Sequence, residues 1–177
     1  MNNLFRLIAA ALFAAIAVIT PARAELAVGS EAPGFNTRAA LAGEAFAFSL
    51  ERALADGPVV LYFYPKAFTQ GCTLEANAFA EAMPEFRAAG ASVIGMSNDD
   101  IETLERFSRE ECRDAFPVGV ASAGLIASYD VALGSSGLAS RTSYVIAPDG
   151  RIAFVHSNSD YRGHVSQTLA AVRALSN

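Results

Sequence analysis

The sequence predicts one α/β domain, a central mixed sheet with helices on both faces. Two observations carry that expectation: strand-like and helix-like segments alternate through the middle of the chain, and a hairpin followed by a helix closes it. No internal repeat, low-complexity linker or block of like charge interrupts the order. Elements in that sequence stack as helices over a shared sheet.

The elements follow in order. Phe35 to Thr37 and Ala45 to Ser49 form a leading hairpin with Gly43-Glu44 near its turn. Pro58 to Tyr64 is a buried strand by its Val, Leu, Tyr and Phe content, bounded by Gly57 and Pro65. Cys72 to Ala89 is a helix, with Leu74, Ala78, Phe79, Ala82, Met83 and Phe86 at spacings of three and four, and Pro84 inside it predicts a kink. Ala91 to Ser97 is the next strand. Asp99 is placed to cap the following helix, with Glu102 completing a capping-box-like pair and Ile101, Leu104 and Phe107 on the inner face. Phe116 to Ala121 reads as a strand and Leu125 to Tyr129 as a short helix. Ser143 to Ile146 and Ile152 to His156 are strands joined through the turn Pro148-Asp149-Gly150. Val165, Leu169, Val172 and Leu175 define a closing amphipathic helix.

Residues 1–24 have the form of a cleaved secretory leader. Arg6 precedes an apolar, Ala-rich run from Leu7 to Ile19, and Pro21 and the small-x-small sequence Ala22-Arg23-Ala24 follow. The run is shorter than the roughly 20 residues of a spanning helix, so export with cleavage before Glu25 is the expectation, most simply to a bacterial periplasm. Residues 25–177 then form the folded domain, with no membrane segment. Losing Arg6 and Arg23 leaves 11 basic residues against 18 acidic ones and moves the net charge from −5 to −7. That balance disfavours nucleic acid, whose phosphates select clustered Lys and Arg. Two cysteines permit at most one disulfide, so the core must come from apolar burial.

Cys72 is the residue that points to chemistry. It follows Thr69, Gln70 and Gly71, the least apolar part of its segment, and stands in the first turn of the expected helix. Unpaired backbone N–H groups and the positive end of the helix dipole favour a thiolate at such a position. Thr69 adds a hydroxyl, Gly71 allows close backbone approach to a bound oxygen, and Pro65 offers an apolar wall without an N–H.

Pro65-x-x-x-Thr69-x-x-Cys72 resembles the active-site motif of the peroxiredoxins. The flanking Phe63-Tyr64-Pro65 and Gly71-Cys72-Thr73-x-Glu75 resemble the Q-type, bacterioferritin-comigratory-protein-like branch. Residues 28–35 resemble the opening segment of that family, and Arg141-Thr142-Ser143-Tyr144-Val145-Ile146 with Pro148-Asp149-Gly150 resembles its late arginine strand and hairpin. The resemblance implies a thioredoxin-like fold and a thiol peroxidase for hydrogen peroxide and organic hydroperoxides, with a thioredoxin-like protein or small thiol as electron donor and no cofactor. It assigns Cys72 as the peroxidatic cysteine, Thr69 and Arg141 as the groups that hold the peroxide oxygens, and Pro65 as a shield of the pocket. Glu75 is expected to orient Arg141 from one turn below Cys72, with a solvated first-turn acid as the alternative, and Tyr64 to support the site from the core. Relatives of this branch are often monomers, and the resemblance leaves the oligomeric state open.

Two positions depart from the branch. Asn77 stands where the common pattern has a second cysteine, and Gln70 where its loop often has Pro. Cys112, in Phe107-Ser108-Arg109-Glu110-Glu111-Cys112-Arg113 near the end of the next helix, is then the candidate resolving cysteine. It resembles, by region only, a resolving cysteine that some relatives carry about one turn earlier. The alternative is a one-cysteine cycle resolved by an outside thiol, with Cys112 half-buried and inert.

His156 and His164 are the only histidines, and no Cys-x-x-Cys pair exists, which disfavours a zinc site, copper delivery and a dithiol reductase. His164 is expected at the surface. A cysteine hydrolase pairing Cys72 with a histidine and a non-catalytic thioredoxin-like binding module are the remaining readings.

Overall fold

In a computed structural model that describes residues 25–175, the chain folds around a seven-stranded mixed sheet. The leader expected over residues 1–24 lies outside the described residues. The strands are β1 (Asn36–Leu41), β2 (Glu44–Ser49), β3 (Val59–Phe63), β4 (Ser92–Ser97), β5 (Val118–Val120), β6 (Thr142–Ile146) and β7 (Ile152–Ser157). Their spatial order is β2-β1-β5-β4-β3-β6-β7. β3, β4 and β5 run parallel to one another, and the pairs β2/β1, β1/β5, β3/β6 and β6/β7 are antiparallel.

Strand β3 explains why both faces must be covered. Its five residues are all buried, and successive side chains point to opposite faces. Val60 and Tyr62 join Ala76, Phe79, Met83, Leu104, Phe107, Leu169 and Val172 on one side. Those residues come from helices α2 (Gln70–Ala88), α3 (Ile101–Glu110) and α5 (His164–Leu175). Val59, Leu61 and Phe63 face Leu50, Leu54, Ile126 and Tyr129 on the other, from α1 (Leu50–Asp56), α4 (Ala123–Ser128) and the residue after it.

Several elements differ from expectation in detail. The leading hairpin turns through Ala42 and Gly43, both with positive φ (52° and 82°), the geometry that matches strand twist in a two-residue hairpin. Helix α1 is absent from the sequence reading; seven residues are too few to establish a helical period. Helix α2 runs unbroken through Pro84. The cap of α3 is Asp100, whose Oδ1 accepts from the Thr103 N–H at 2.7 Å, and not Asp99. Asp99 instead turns back: its Oδ2 accepts from the Ala67 N–H and from the Ser97 hydroxyl, each at 2.8 Å, and so pins the loop between β3 and α2.

Candidate active site

The loop after β3 delivers Cys72 to the third position of α2, where its side chain is 2 % exposed. Strand β6 runs antiparallel to β3 with Thr142 opposite Phe63, so the residue just before β6 arrives beside the end of β3. That residue is Arg141. Sheet register thus brings together two groups 69 positions apart in the chain: Arg141 Nη2 lies 3.5 Å from Cys72 Sγ.

All arms of the Arg141 fork are engaged. Nε donates to the Ser159 carbonyl at 3.0 Å, Nη1 donates to Glu75 Oε2, and Nη2 faces the sulfur. Burial opposes the guanidinium charge, but Glu75 and Cys72 outweigh it and hold Arg141 protonated. Gly71 makes the approach possible, since a Cβ there would stand 3.1 Å from Nη2. Glu75 is fully buried, so the alternative of a solvated first-turn acid is not what the fold holds. Burial raises its carboxyl to about 8, against the pull of Arg141, and Oε1 has no hydrogen-bond partner.

Thr69 occupies the N-cap position of α2, but its hydroxyl makes no cap bond. It donates to the Lys66 carbonyl at 2.9 Å, and the residue is exposed three positions before Cys72. Pro65 is half-buried in the same loop. Phe68 holds a left-handed conformation (φ 61°), its ring 5.2 Å from Phe107 edge-on and 5.0 Å from the Arg106 guanidinium carbon. Tyr64 is buried and stacks on Phe107 at 5.6 Å, next to the core rather than open to substrate.

Cys112 is not the half-buried helical residue among charges that its neighbours suggest. Helix α3 ends at Glu110, and the chain turns inward through Arg113 and Asp114, both with positive φ (53° and 58°), which buries the thiol completely beside Phe107 and Phe116. Burial pushes the Cys112 thiol well above its ordinary range, and Glu111 and Asp114 push the same way. Both cysteines are free.

His164 corrects the sequence expectation most sharply. It is fully buried, not a surface residue, because α5 begins with its first turn against β6 and α2. Its Nδ1 is 2.8 Å from the Ser143 hydroxyl and 3.7 Å from Glu75 Oε1. A lone polar residue at a helix start gives no sequence signal of this. Among the described residues no group of three or more His, Cys, Asp or Glu is arranged to hold a metal ion.

A sulfur buried against a guanidinium, with an exposed threonine three positions before it, is an arrangement for nucleophilic attack that releases negative charge. Known proteins carry the same architecture. Residues 28–155 match the AhpC/TSA family. A putative peroxiredoxin of Mycobacterium tuberculosis is 35 % identical over 126 residues, covering 69 % of this chain and 82 % of the relative. Peroxiredoxin Bcp of Xanthomonas campestris is 33 % identical over 130 residues, covering 70 % and 81 %. The crystal structure of peroxidoxin BcpB from Mycobacterium tuberculosis superposes with a TM-score of 0.75 at 33 % identity, covering 84 % of this chain and 97 % of that one.

Proposed function

The chain belongs to the AhpC/TSA family as a peroxiredoxin of the Q-type, bacterioferritin-comigratory-protein-like branch and is a thiol-dependent peroxidase, in which we propose that Cys72 attacks the peroxide and Cys112 resolves it. The observation that carries the assignment is the 3.5 Å approach of Arg141 Nη2 to Cys72 Sγ. It sets a fixed cation where the reaction needs an anionic sulfur and where charge appears on the leaving oxygen.

The Cys72 thiolate attacks the near oxygen of hydrogen peroxide or an organic hydroperoxide. The S–O bond forms as the O–O bond breaks, sulfur loses two electrons, and the far oxygen leaves with a proton as water or alcohol. Arg141 neutralises the charge that moves onto that oxygen. Thr69 accepts the hydroperoxide O–H, and Pro65 keeps solvent from one side. The Cys112 thiol then attacks the sulfenic acid, giving a disulfide and water. An external thiol pair, from a thioredoxin-like protein or a small thiol, reduces the disulfide and restores both cysteines.

Resolution requires opening. Cys112 is buried, and its neighbours Glu111 and Arg113 contact Asn77 and Glu81 on α2, five and nine residues beyond Cys72. At about 1.5 Å per residue those anchors lie about 7–14 Å along the helix from Cys72, whereas a disulfide needs Cα atoms within about 7 Å. In the proposed cycle the first turn of α2 and the 107–115 segment open locally so that the two buried thiols can meet. The leader-like residues 1–24 support export to the periplasm, with reduction by an exported thiol donor. Replacing Cys72 by Ser tests the assignment: peroxide consumption with a thiol donor is expected to vanish while the fold is kept. A Cys72→Ser protein that still turns over peroxide would overturn it.

A further inference from the structure

β3 and β4 are parallel neighbours, so the loops that follow them leave the sheet at the same edge. Phe63 pairs with Met96, and the ladder runs one step further, with the Tyr64 N–H donating to the Met96 carbonyl at 3.0 Å. One chain then continues to Lys66, Ala67 and Thr69, the other to Ser97 and Asp99. Asp99 joins the two loops. Its Oδ2 accepts from the Ala67 N–H and from the hydroxyl of the fully buried Ser97, each at 2.8 Å.

The peptide between Lys66 and Ala67 is gripped on both sides. Its N–H donates to Asp99, and its carbonyl accepts from the Thr69 hydroxyl at 2.9 Å. A trans peptide is planar, so its N–H and C=O point in opposite directions and turn as one body. Fixing the N–H fixes the carbonyl. Phe68, between this peptide and Thr69, holds a left-handed conformation (φ 61°) that a bulky side chain does not adopt by preference, so the loop depends on anchors of this kind.

A hydroxyl carries one proton and two lone pairs. With its proton committed to the Lys66 carbonyl, Thr69 meets a ligand as an acceptor. We propose that Asp99 is a positioning residue for Thr69: through the Lys66–Ala67 peptide it fixes the carbonyl that takes the Thr69 proton, and so presents Thr69 as an acceptor to the O–H of the hydroperoxide. The proposal deepens the peroxidase reading and rests on it. Without Asp99 the peptide is free to turn, the Thr69 hydroxyl loses its fixed partner, and it can donate to the peroxide as readily as accept from it.

The test is a double-mutant cycle on the full chain, joining Asp99→Ala with Thr69→Val and read by two rates. One is Cys72 oxidation by hydrogen peroxide in stopped flow. The other is Cys72 alkylation by iodoacetamide, which presents no hydroperoxide O–H. Asp99→Ala is expected to slow oxidation about tenfold and alkylation by less than about twofold, and to cost less than about twofold in oxidation when Thr69 is already Val. Asp99→Asn, whose amide oxygen can accept from both Ala67 and Ser97, is expected to stay within about threefold of the native rate. Should Asp99→Ala fail to fold, Ser97→Ala enters the same cycle, with a loss of about threefold expected in the native background and none beside Thr69→Val. A folded Asp99→Ala protein with native oxidation rates, equal losses with and without Thr69, or a matching loss in alkylation would overturn the proposal and leave the peroxidase reading standing. Failure of Asp99→Asn to rescue would also overturn it, since the carboxylate charge would then matter and not the hydrogen bond. A native protein without Cys72-dependent peroxide consumption would overturn the peroxidase reading and this proposal with it.

Discussion

The amide of Asn77 donates to Glu111 Oε2 at 3.1 Å. The residue that stands where the Q-type pattern has its second cysteine thus clasps the segment that carries Cys112. Glu81, one turn further along the same face of α2, meets Arg113 at 3.2 Å and extends the clasp. Cys112 lies between the two anchors, and the second anchor, Arg113, and Asp114 after it both hold the left-handed conformation that non-glycine residues disfavour. The segment is held on both sides of Cys112 and strained just after it, which suits a piece of chain that must detach once per turnover.

Weakening that clasp is expected to speed resolution without touching the first chemical step. The Glu81–Arg113 pair is exposed and such pairs contribute little, roughly 0–1 kcal/mol, and the partly exposed hydrogen bond from the Asn77 amide to the Glu111 carboxylate adds about 1 kcal/mol. Asn77→Ala combined with Glu81→Ala should therefore raise the rate of disulfide formation by about five- to thirtyfold, with the rate of Cys72 oxidation unchanged. Stopped-flow fluorescence with successive additions of peroxide and reductant separates the two phases. A slower second phase would mean that the clasp aligns the thiols.

Arg141 and Gly71 yield a prediction in which stability and activity move in opposite directions. A Cβ on Gly71 would stand 3.1 Å from Nη2, so Ala must displace the guanidinium from the sulfur by a few tenths of an ångström. In a helix Ala is otherwise better than Gly by about 1 kcal/mol. Gly71→Ala is expected to melt no lower than the native protein and to oxidise about tenfold more slowly, while Arg141→Lys, which cannot serve Ser159, Glu75 and Cys72 together, should lose on the order of 10²-fold. Melting curves beside peroxide rates decide; unchanged rates in both variants would contradict the role given to Arg141.

The buried Glu75 and His164 set opposing pH dependences of stability. Glu75 titrates at about 8 in the fold because of burial, above its ordinary value, so its contribution is present in full below about 4.5 and lost as pH rises through 8. His164 is held down to about 4 by burial, so the unfolded chain takes up a proton that the fold refuses, and stability falls as pH drops from about 6.5 towards 4. Urea unfolding from pH 4.5 to 9 is expected to show the alkaline decline in the native protein and its loss in Glu75→Gln. The acid decline should persist in that variant and shrink in His164→Gln.

The fold was largely legible because its signals are local and repetitive. The continuous apolar run of β3, the three- and four-residue spacing of α2 and the turn between β6 and β7 are each readable within a few residues, and Cys72, Thr69 and Arg141 fall on motif positions beside them. What escaped depends on distant partners. Helix α1 is too short to show a period. Asp99 looks like a cap because its real partner, the Ala67 N–H, is 32 residues away. His164 looks like a surface residue at a helix start because its surroundings come from β6, β7 and α2 at once. Cys112 has charged neighbours, and only the turn through Arg113 and Asp114 takes it into the core.

The two-cysteine cycle meets its most direct test in nonreducing peptide mapping of the protein after one equivalent of hydrogen peroxide. The expected product is a peptide pair joined through Cys72 and Cys112, formed at the expense of both free thiols and absent from Cys112→Ser, which still loses one thiol to oxidation. Finding Cys72 as a sulfinic acid or an external thiol adduct, with Cys112 still free and no internal bridge, would contradict it.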